Sequence, residues 1–174
     1  MKDPVAHFKA VLEQCPEDEL AMFSLGKACY EAGDYAPLNG MVESLFAAGI
    51  EVHCLRDLTR GGLATTLVEI AESSGCRLCI DSRAVPVEEQ VRGACEMLGL
   101  DPLYVANEGR FAVFVPMRDA DRAVKIIQAH APGAKAAAIG SVDTEQDGMV
   151  TLISPIGTRR IIDHLSGEQL PGIC

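Results

Sequence analysis

Apolar positions along this chain change their spacing several times, and each change marks an element. Phe8, Val11 and Leu12 share one helical face that Pro16 stops; Met22, Leu25 and Cys29 give a second face that ends at Gly33. Residues 1–35 therefore read as a helical hairpin. From Pro37 onward helices and strands alternate. Residues 38–48 read as helix and 50–55 as strand, and Leu63, Leu67 and Ile70 mark a helix that starts after Gly61-Gly62. A strand over 78–81 follows, then a helix over 87–98 whose inner face is Val87, Val91, Ala94, Cys95 and Leu98. Strands are expected at 103–106 and 110–116, and a helix aligns Ala120, Val124 and Ile127. Further strands fall at 136–142, 149–153 and around Arg160-Ile161-Ile162. Arg110 to Pro116 is apolar almost without interruption, which predicts that both faces of that strand are covered. The fold class is α+β, with a mixed, largely antiparallel sheet and helices packed on it, preceded by the hairpin.

Composition narrows the function classes. Hydrophobic residues are 48% and charged residues 23% of the 174, a globular balance. No apolar run approaches the ~18 to 20 residues needed to span a bilayer, and Met1-Lys2-Asp3-Pro4 does not open a signal peptide, so the expectation is a cytoplasmic protein with no membrane partner. A net charge of -10 without a Lys/Arg block excludes a nucleic-acid binder. Seven cysteines in such a chain read as reduced thiols. Cys95 belongs to a core. Cys76-Arg77-Leu78-Cys79 is a lone CxxC on an expected strand, where residues three apart face opposite sides, so neither a metal nor a redox pair is expected. His7, His53, His130 and His164 are scattered without metal spacing.

Three segments remain as candidates for chemistry. Arg56-Asp57-Leu58-Thr59-Arg60-Gly61-Gly62 joins a strand to a helix, where glycines let the backbone approach a ligand and a helix start offers N–H groups to an anion. The same residues also suit a tight turn in which Asp57 or Thr59 caps the helix. Asn107-Glu108-Gly109 lies between two expected strands, where a hairpin turn accounts for it. The last segment, 166–174, carries Gly167, Pro171 and Gly172, lacks apolar periodicity and ends in Cys174, so it reads as a mobile tail with a thiol at its tip.

Two resemblances bear on these segments. Phe8, Val11, Leu12, Pro16, Leu25-Gly26, Tyr30 and Gly33-Asp34-Tyr35 resemble parts of two successive tetratricopeptide repeats, but ~3 repeats are needed to bury a core, so no working array is expected. Leu38-Asn39, Leu55 to Leu67, Leu98 to Leu103, Ala106 to Gly109 and Gly167 to Cys174 resemble, in order, the C-terminal domain of the hydrogenase expression/formation protein HypE family. That family lies in the aminoimidazole ribonucleotide synthetase superfamily, with selenophosphate synthetase and thiamine-monophosphate kinase.

The resemblance implies a PurM-like C-terminal domain over 36–165 and a carrier tail over 166–174. It also implies an ATP-dependent carbamoyl dehydratase, in which Cys174 receives a carbamoyl group from a carbamoyltransferase maturation protein. ATP activates the thiocarboxamide oxygen, a cysteine thiocyanate forms, and its cyanide passes to iron on a scaffold complex during assembly of a nickel-iron hydrogenase centre. By the same match Arg56, Asp57, Thr59, Arg60, Gly61, Gly62, Asn107 and Glu108 face the nucleotide cleft. ATP and magnesium are implied for the whole family and none is expected on this chain alone, whose sequence has the repeat-like hairpin where the family has its ATP domain. A homodimer is the remaining implied partner. The family tail ends Pro-Arg-Ile-Cys, whereas here Gly172 occupies the arginine position. The competing expectations are an interaction module without chemistry, and a kinase or synthetase of the wider superfamily.

Overall fold

The computed structural model describes residues 36–130, 135–143 and 145–164. The expected hairpin over 1–35 and the tail over 166–174 lie outside the described residues. The chain divides into two compact units, split after residues 56, 110 and 136.

The first unit is built on two helices, α1 (Ala36–Ala47) and α4 (Ala120–Gln128). Met41 and Leu45 of α1 and Ala123 and Ile127 of α4 are buried with Ile50 in one cluster, and Phe111, Val113 and Val115 pack against it. Gly49 closes α1 with φ 71°, its N–H bonding the Phe46 carbonyl (2.9 Å) while Ile50 N–H reaches back to Leu45 (3.0 Å). This pair of bonds satisfies carbonyls that the helix end would orphan, and it brings Ile50 onto Leu45 in the core. Ile50 is thus committed to the helix end. That is why the strand expected at 50–55 instead forms later, as β1 (Cys54–Leu58).

β1 pairs with β3 (Asn107–Phe114) in a two-stranded sheet. Asn107-Glu108-Gly109-Arg110 therefore lies inside a strand, not in the expected hairpin turn. The strand expected before it at 103–106 is a 3-10 turn, Pro102–Tyr104. Pro102 fixes φ there and the Asp101 side chain accepts from Leu103 N–H (3.0 Å), and both favour a turn over a ladder. The residues from Phe111 to Val115 are all half-buried, so neither face of that strand is covered as fully as its apolar run predicts.

The second unit holds a four-stranded mixed sheet in the order β4 (Gly140–Val142), β2 (Leu78–Asp81), β5 (Val150–Ile153), β6 (Arg159–Ile162). β2 and β5 run parallel, and the other two pairs are antiparallel. Register sets Leu78 beside Val150 and Ile80 beside Leu152, so the buried positions of the two strands form one row. Their neighbours Cys79 and Thr151 face the other way and are half-buried, the alternation of a sheet with one core face. Helix α2 (Gly62–Ser74) buries Leu63, Leu67, Val68, Ile70 and Ala71, which includes the whole stripe its sequence predicts.

Helix α3 (Glu89–Leu98) departs from its pattern. Cys95 is buried as expected, but Val91 is 45% and Leu98 71% exposed, and Ala94 is exposed too. Periodicity predicts that an apolar stripe exists, not what covers it. Among the described residues no helix is long and apolar enough to cross a membrane.

Candidate functional site

The glycine turn between β1 and α2 has a definite geometry. Arg56 and Asp57 lie in β1, which Leu58 ends; Thr59 and Arg60 form the turn, and Gly61 (φ 64°, ψ 15°) caps α2 with no side chain of its own to bond. The cap position is thus held by Gly61, not by Asp57 or Thr59. Thr66, the fifth residue of the helix, is 2% exposed and ties it to β1 by donating from Oγ1 to the Asp57 carbonyl (3.3 Å). The glycine at the cap supplies no side-chain acceptor of its own to the start of α2, and Arg60 beside it is exposed.

Gly62 serves packing. Its φ is 64°, and a Cβ there would lie 2.5 Å from the Val105 carbonyl oxygen and 2.6 Å from that of Leu103. The space that a phosphate cradle would need is filled by the backbone that follows the Pro102–Tyr104 turn. The structure thus brings together the glycine turn and the Leu103–Val105 segment, a juxtaposition that their separation in sequence does not reveal. Asn107 is exposed on β3, and Glu108 lies in the same strand.

The turn over 101–104 is tied in turn to residues 160–163. Arg160 donates from Nη2 to Asp101 Oδ2 (2.8 Å), and the Tyr104 hydroxyl donates to the Asp163 carbonyl (2.9 Å). His164 Nε2 lies 3.2 Å from Glu72 Oε2 near the end of α2. Neither Tyr104 nor Asp101 stands out in the sequence as more than part of a turn, and only the fold shows what they hold. An open cleft is lined by Val68, Glu72, Asp147, Met149, Ile161 and Asp163, among others. Cys174 lies outside the described residues.

Other groups with reactive chemistry are accounted for structurally. Cys76 Sγ lies 3.7 Å from the Ser74 carbonyl, whereas Cys79 Sγ faces Asp143 Oδ2 at 3.8 Å, so the CxxC pair has separate surroundings. Burial pushes the Cys79 thiol up, and the Asp143 carboxylate adds to it. Arg77, next to Cys76, donates from Nε to both Asp147 oxygens (3.2 and 3.0 Å) and also pairs with Glu145. The Arg77 hydrogen bond, foremost, holds the Asp147 carboxyl below its ordinary range. Arg83 does the same for Asp81. Ser44 Oγ donates to the Gly40 carbonyl (2.8 Å) and lies 3.1 Å from His130 Nε2; with its proton so used, Ser44 is not poised as an activated nucleophile. Among the described residues no group of three His, Cys, Asp or Glu side chains could hold a metal ion.

Comparison with known proteins matches residues 11–153 to the family "AIR synthase related protein, C-terminal domain". The chain is 49% identical over 141 residues to the carbamoyl dehydratase HypE of Azotobacter vinelandii, covering 81% of this chain and 41% of that protein. It is 47% identical over 141 residues to the carbamoyl dehydratase HypE of Rhodobacter capsulatus, covering 81% and 42%. The chain thus spans about two-fifths of the length of these relatives. Among solved structures, the hydrogenase maturation protein HypE aligns with TM-score 0.74 and 44% identity, over 79% of this chain and 44% of that one. A HypE structure in complex with ATP gives 0.72 and 43%, over 78% and 42%. A HypE–HypF complex gives 0.69 and 38%, over 79% and 46%. These neighbours share the mixed α+β fold that the hydrophobic pattern predicts.

Proposed function

Because this chain belongs to the family of AIR synthase related proteins, through their C-terminal domain, we propose that it is the cysteine-bearing part of a carbamoyl dehydratase acting in hydrogenase maturation. The observation that carries this reading is the 49% identity to a carbamoyl dehydratase over 141 residues. Residues 36–165 are then the AIR-synthase-related domain and 166–174 the carrier arm, with the reacting thiol at Cys174. The loading partner is a HypF-type carbamoyltransferase, a choice supported by the HypE–HypF complex among the structural neighbours.

The chemistry asks for a group that can be both acylated and displaced. The Cys174 thiolate attacks the carbamoyl carbon of the donor that the transferase presents, the bond from that carbon to the donor oxygen breaks, the donor leaves with the electron pair, and a thiocarbamate forms; a thiol has a free pKa of ~8.5, so a few per cent is ionised at neutral pH. The carbamoyl oxygen then takes the γ-phosphoryl group of ATP, with ADP leaving, and departs as inorganic phosphate, while the nitrogen gives up two protons. What remains on sulfur is a nitrile, a thiocyanate, whose cyano group passes to a reduced iron on a scaffold complex: the iron supplies the electron pair of the new Fe–C bond, the S–C bond breaks and the Cys174 thiolate leaves with its pair. A HypE neighbour solved with ATP supports the nucleotide as substrate. On this chain the glycine-capped start of α2 and the exposed Arg60 suit its phosphates. Gly62 does not, since backbone fills its open side. Arg56, Asp57, Thr59, Gly61, Asn107 and Glu108 complete the face assigned to the cleft. Magnesium finds no ligand cluster among the described residues. Dimerisation of the whole protein belongs to the same reading.

Mass spectrometry tests the proposal. Incubation with the carbamoyltransferase partner, carbamoyl phosphate and ATP should add a carbamoyl mass to the Cys174 peptide of the wild-type chain and none to Cys174→Ala. A wild-type chain that stays unmodified under conditions that load a full-length relative would overturn it and leave an interaction module.

A further inference from the structure

Strand β6 is an outer strand of the four-stranded sheet and pairs only with β5 among the described residues. The hydrogen bonds around it fix which of its backbone groups are used. Ser154 N–H donates to the Thr158 carbonyl across the hairpin (2.8 Å), so these two are a bonded pair, and bonded pairs recur at every second place along an antiparallel ladder. By the register, the next are Leu152 with Arg160 and Val150 with Ile162. Arg159, Ile161 and, beyond the ladder, Asp163 therefore turn their N–H and C=O groups away from β5. Two observed bonds agree. The Ile153 carbonyl, opposite Arg159, accepts from Ser82 N–H on the β2 side (3.0 Å), and the Asp163 carbonyl accepts from the Tyr104 hydroxyl (2.9 Å). Alternation sets the side chains of Arg159, Ile161 and Asp163 on the face opposite buried Ile162, and Ile161 is 61% exposed. Arg160 is engaged by Asp101 (2.8 Å), whereas Arg159 has no ion pair among the described residues. Asp163 accepts from His164 N–H through Oδ1 (2.7 Å), which leaves Oδ2 for another donor.

A bare strand edge is a template for pairing unless something blunts it, and short length with charged side chains is the common device. β6 is short and carries two arginines. Its order of residues nevertheless admits one partner. Arg159, Ile161 and Asp163 form a pattern that is its own complement when reversed. In an antiparallel pair of β6 strands related by a two-fold axis at Ile161, Arg159 stands opposite Asp163 of the second copy and Ile161 opposite Ile161. A slip of two residues toward the hairpin sets Arg160 against Arg160, and a slip the other way sets Asp163 against Ile161, so the register is specified by charge. We propose that the free edge of β6 docks a second copy of this chain, joining two sheets through Arg159–Asp163 pairs on either side of Ile161. The contact is isologous and closes on itself, so it yields a dimer and no fibre. The Asp163 carbonyl, with two lone pairs, keeps one for the incoming N–H beside the Tyr104 bond. Residues 159–163 make a contact only ~17 Å long at about 3.4 Å per residue, well short of a standard interface of ~1,600 Å², so the association is weak and reversible. This docking face is independent of the role of Cys174.

Sedimentation equilibrium of the 174-residue chain in reducing buffer, from about 10 μM to about 1 mM, tests this. The apparent mass should rise from that of one chain toward that of two, with a Kd of about 0.1 mM. Arg159→Asp and Asp163→Arg should each raise the Kd about tenfold, because like charges then stand opposite one another at both ends of the pair. The variant carrying both exchanges restores opposite charges and should return to within about threefold of wild type. Ile161→Pro removes an N–H that no bond to β5 uses, at an edge position where proline is tolerated, and should abolish the association while circular dichroism keeps the sheet signal. Should that variant fail to fold, the charge exchange decides alone, since Arg159 and Asp163 are both exposed. A chain that stays monomeric at about 1 mM overturns the proposal. So does a dimer that both single exchanges leave intact, or a double variant no tighter than the single ones, because the contact then lies elsewhere.

Discussion

A Cβ on Gly62 would stand 2.6 Å from the carbonyl oxygen of Leu103, closer than side-chain carbons approach backbone oxygens in folded proteins. The two residues are far apart in sequence, and their contact seats the start of α2 on the Pro102–Tyr104 turn. Gly62→Ala adds a left-handed penalty and a clash with fixed backbone, so it should cost about 2–4 kcal/mol of stability. Gly49→Ala is the control: its φ is 71° with nothing within 4 Å, so only the dihedral penalty of about 1 kcal/mol applies. Urea unfolding of both variants checks this, and equal costs would mean that the turn yields to admit the methyl group.

The glycine pair shows where reading the sequence reaches its end. Strong periodicity made α2 and β2 legible: Leu63, Leu67 and Ile70 are all buried, and residues 78–81 form the expected strand. Errors cluster where one residue serves two elements. Ile50 closes α1 before any strand can start, and Asp101 with Pro102 turns an apolar segment into a 3-10 helix. The Gly61-Gly62 motif was visible as special, but phosphate approach and packing demand the same residue type, and only the position of the Leu103–Val105 backbone separates them. Tyr104 carried no signal at all, because a hydrogen bond to a carbonyl 59 residues away leaves no spacing in the sequence.

Acid should weaken the second unit through Asp147. Its carboxyl is held below the ordinary range, chiefly by Arg77, so the folded state binds its proton more weakly than the unfolded chain. The resulting stability is fully present above the unfolded value of ~3.9 and is lost as pH falls through the lower folded value. Asp147→Asn should flatten the stability curve below about pH 4 while the neutral-pH slope is unchanged. Urea midpoints from pH 2 to 7 test the sign. A variant that keeps the wild-type acid limb would assign that limb to other carboxylates such as Asp81, which Arg83 also depresses.

Cys79 should be a slow thiol. Burial and then Asp143 raise its pKa, so less thiolate is present at a given pH than for an ordinary cysteine. Iodoacetamide pulses across pH 7 to 10, read by peptide mass spectrometry, should place its half-maximal reactivity above the usual ~8.5. Asp143→Asn should bring it down only partway, because desolvation is the larger cause. Rapid Cys76–Cys79 disulfide formation in a glutathione buffer would contradict the separate surroundings of the two sulfurs.

Gly172 stands where the sequence resemblance implies the arginine of a Pro-Arg-Ile-Cys ending, two residues before the proposed carrier thiol. An arginine there would add a permanent cation two residues from the thiol in sequence, and a cation near a thiol favours the thiolate. A terminal carboxylate at Cys174 would act in the opposite direction through like-charge repulsion. Gly172→Arg should therefore speed alkylation of Cys174 at pH 7.5 by about two- to fivefold. The gain should shrink in ~1 M salt, where the screening length falls to about 3 Å. Gly172→Gln, nearly as bulky and uncharged, should leave the rate near wild type. If the glutamine variant gained as much as the arginine one, the effect would come from restricting the backbone at glycine, and a cation at this position would not be what tunes the thiol.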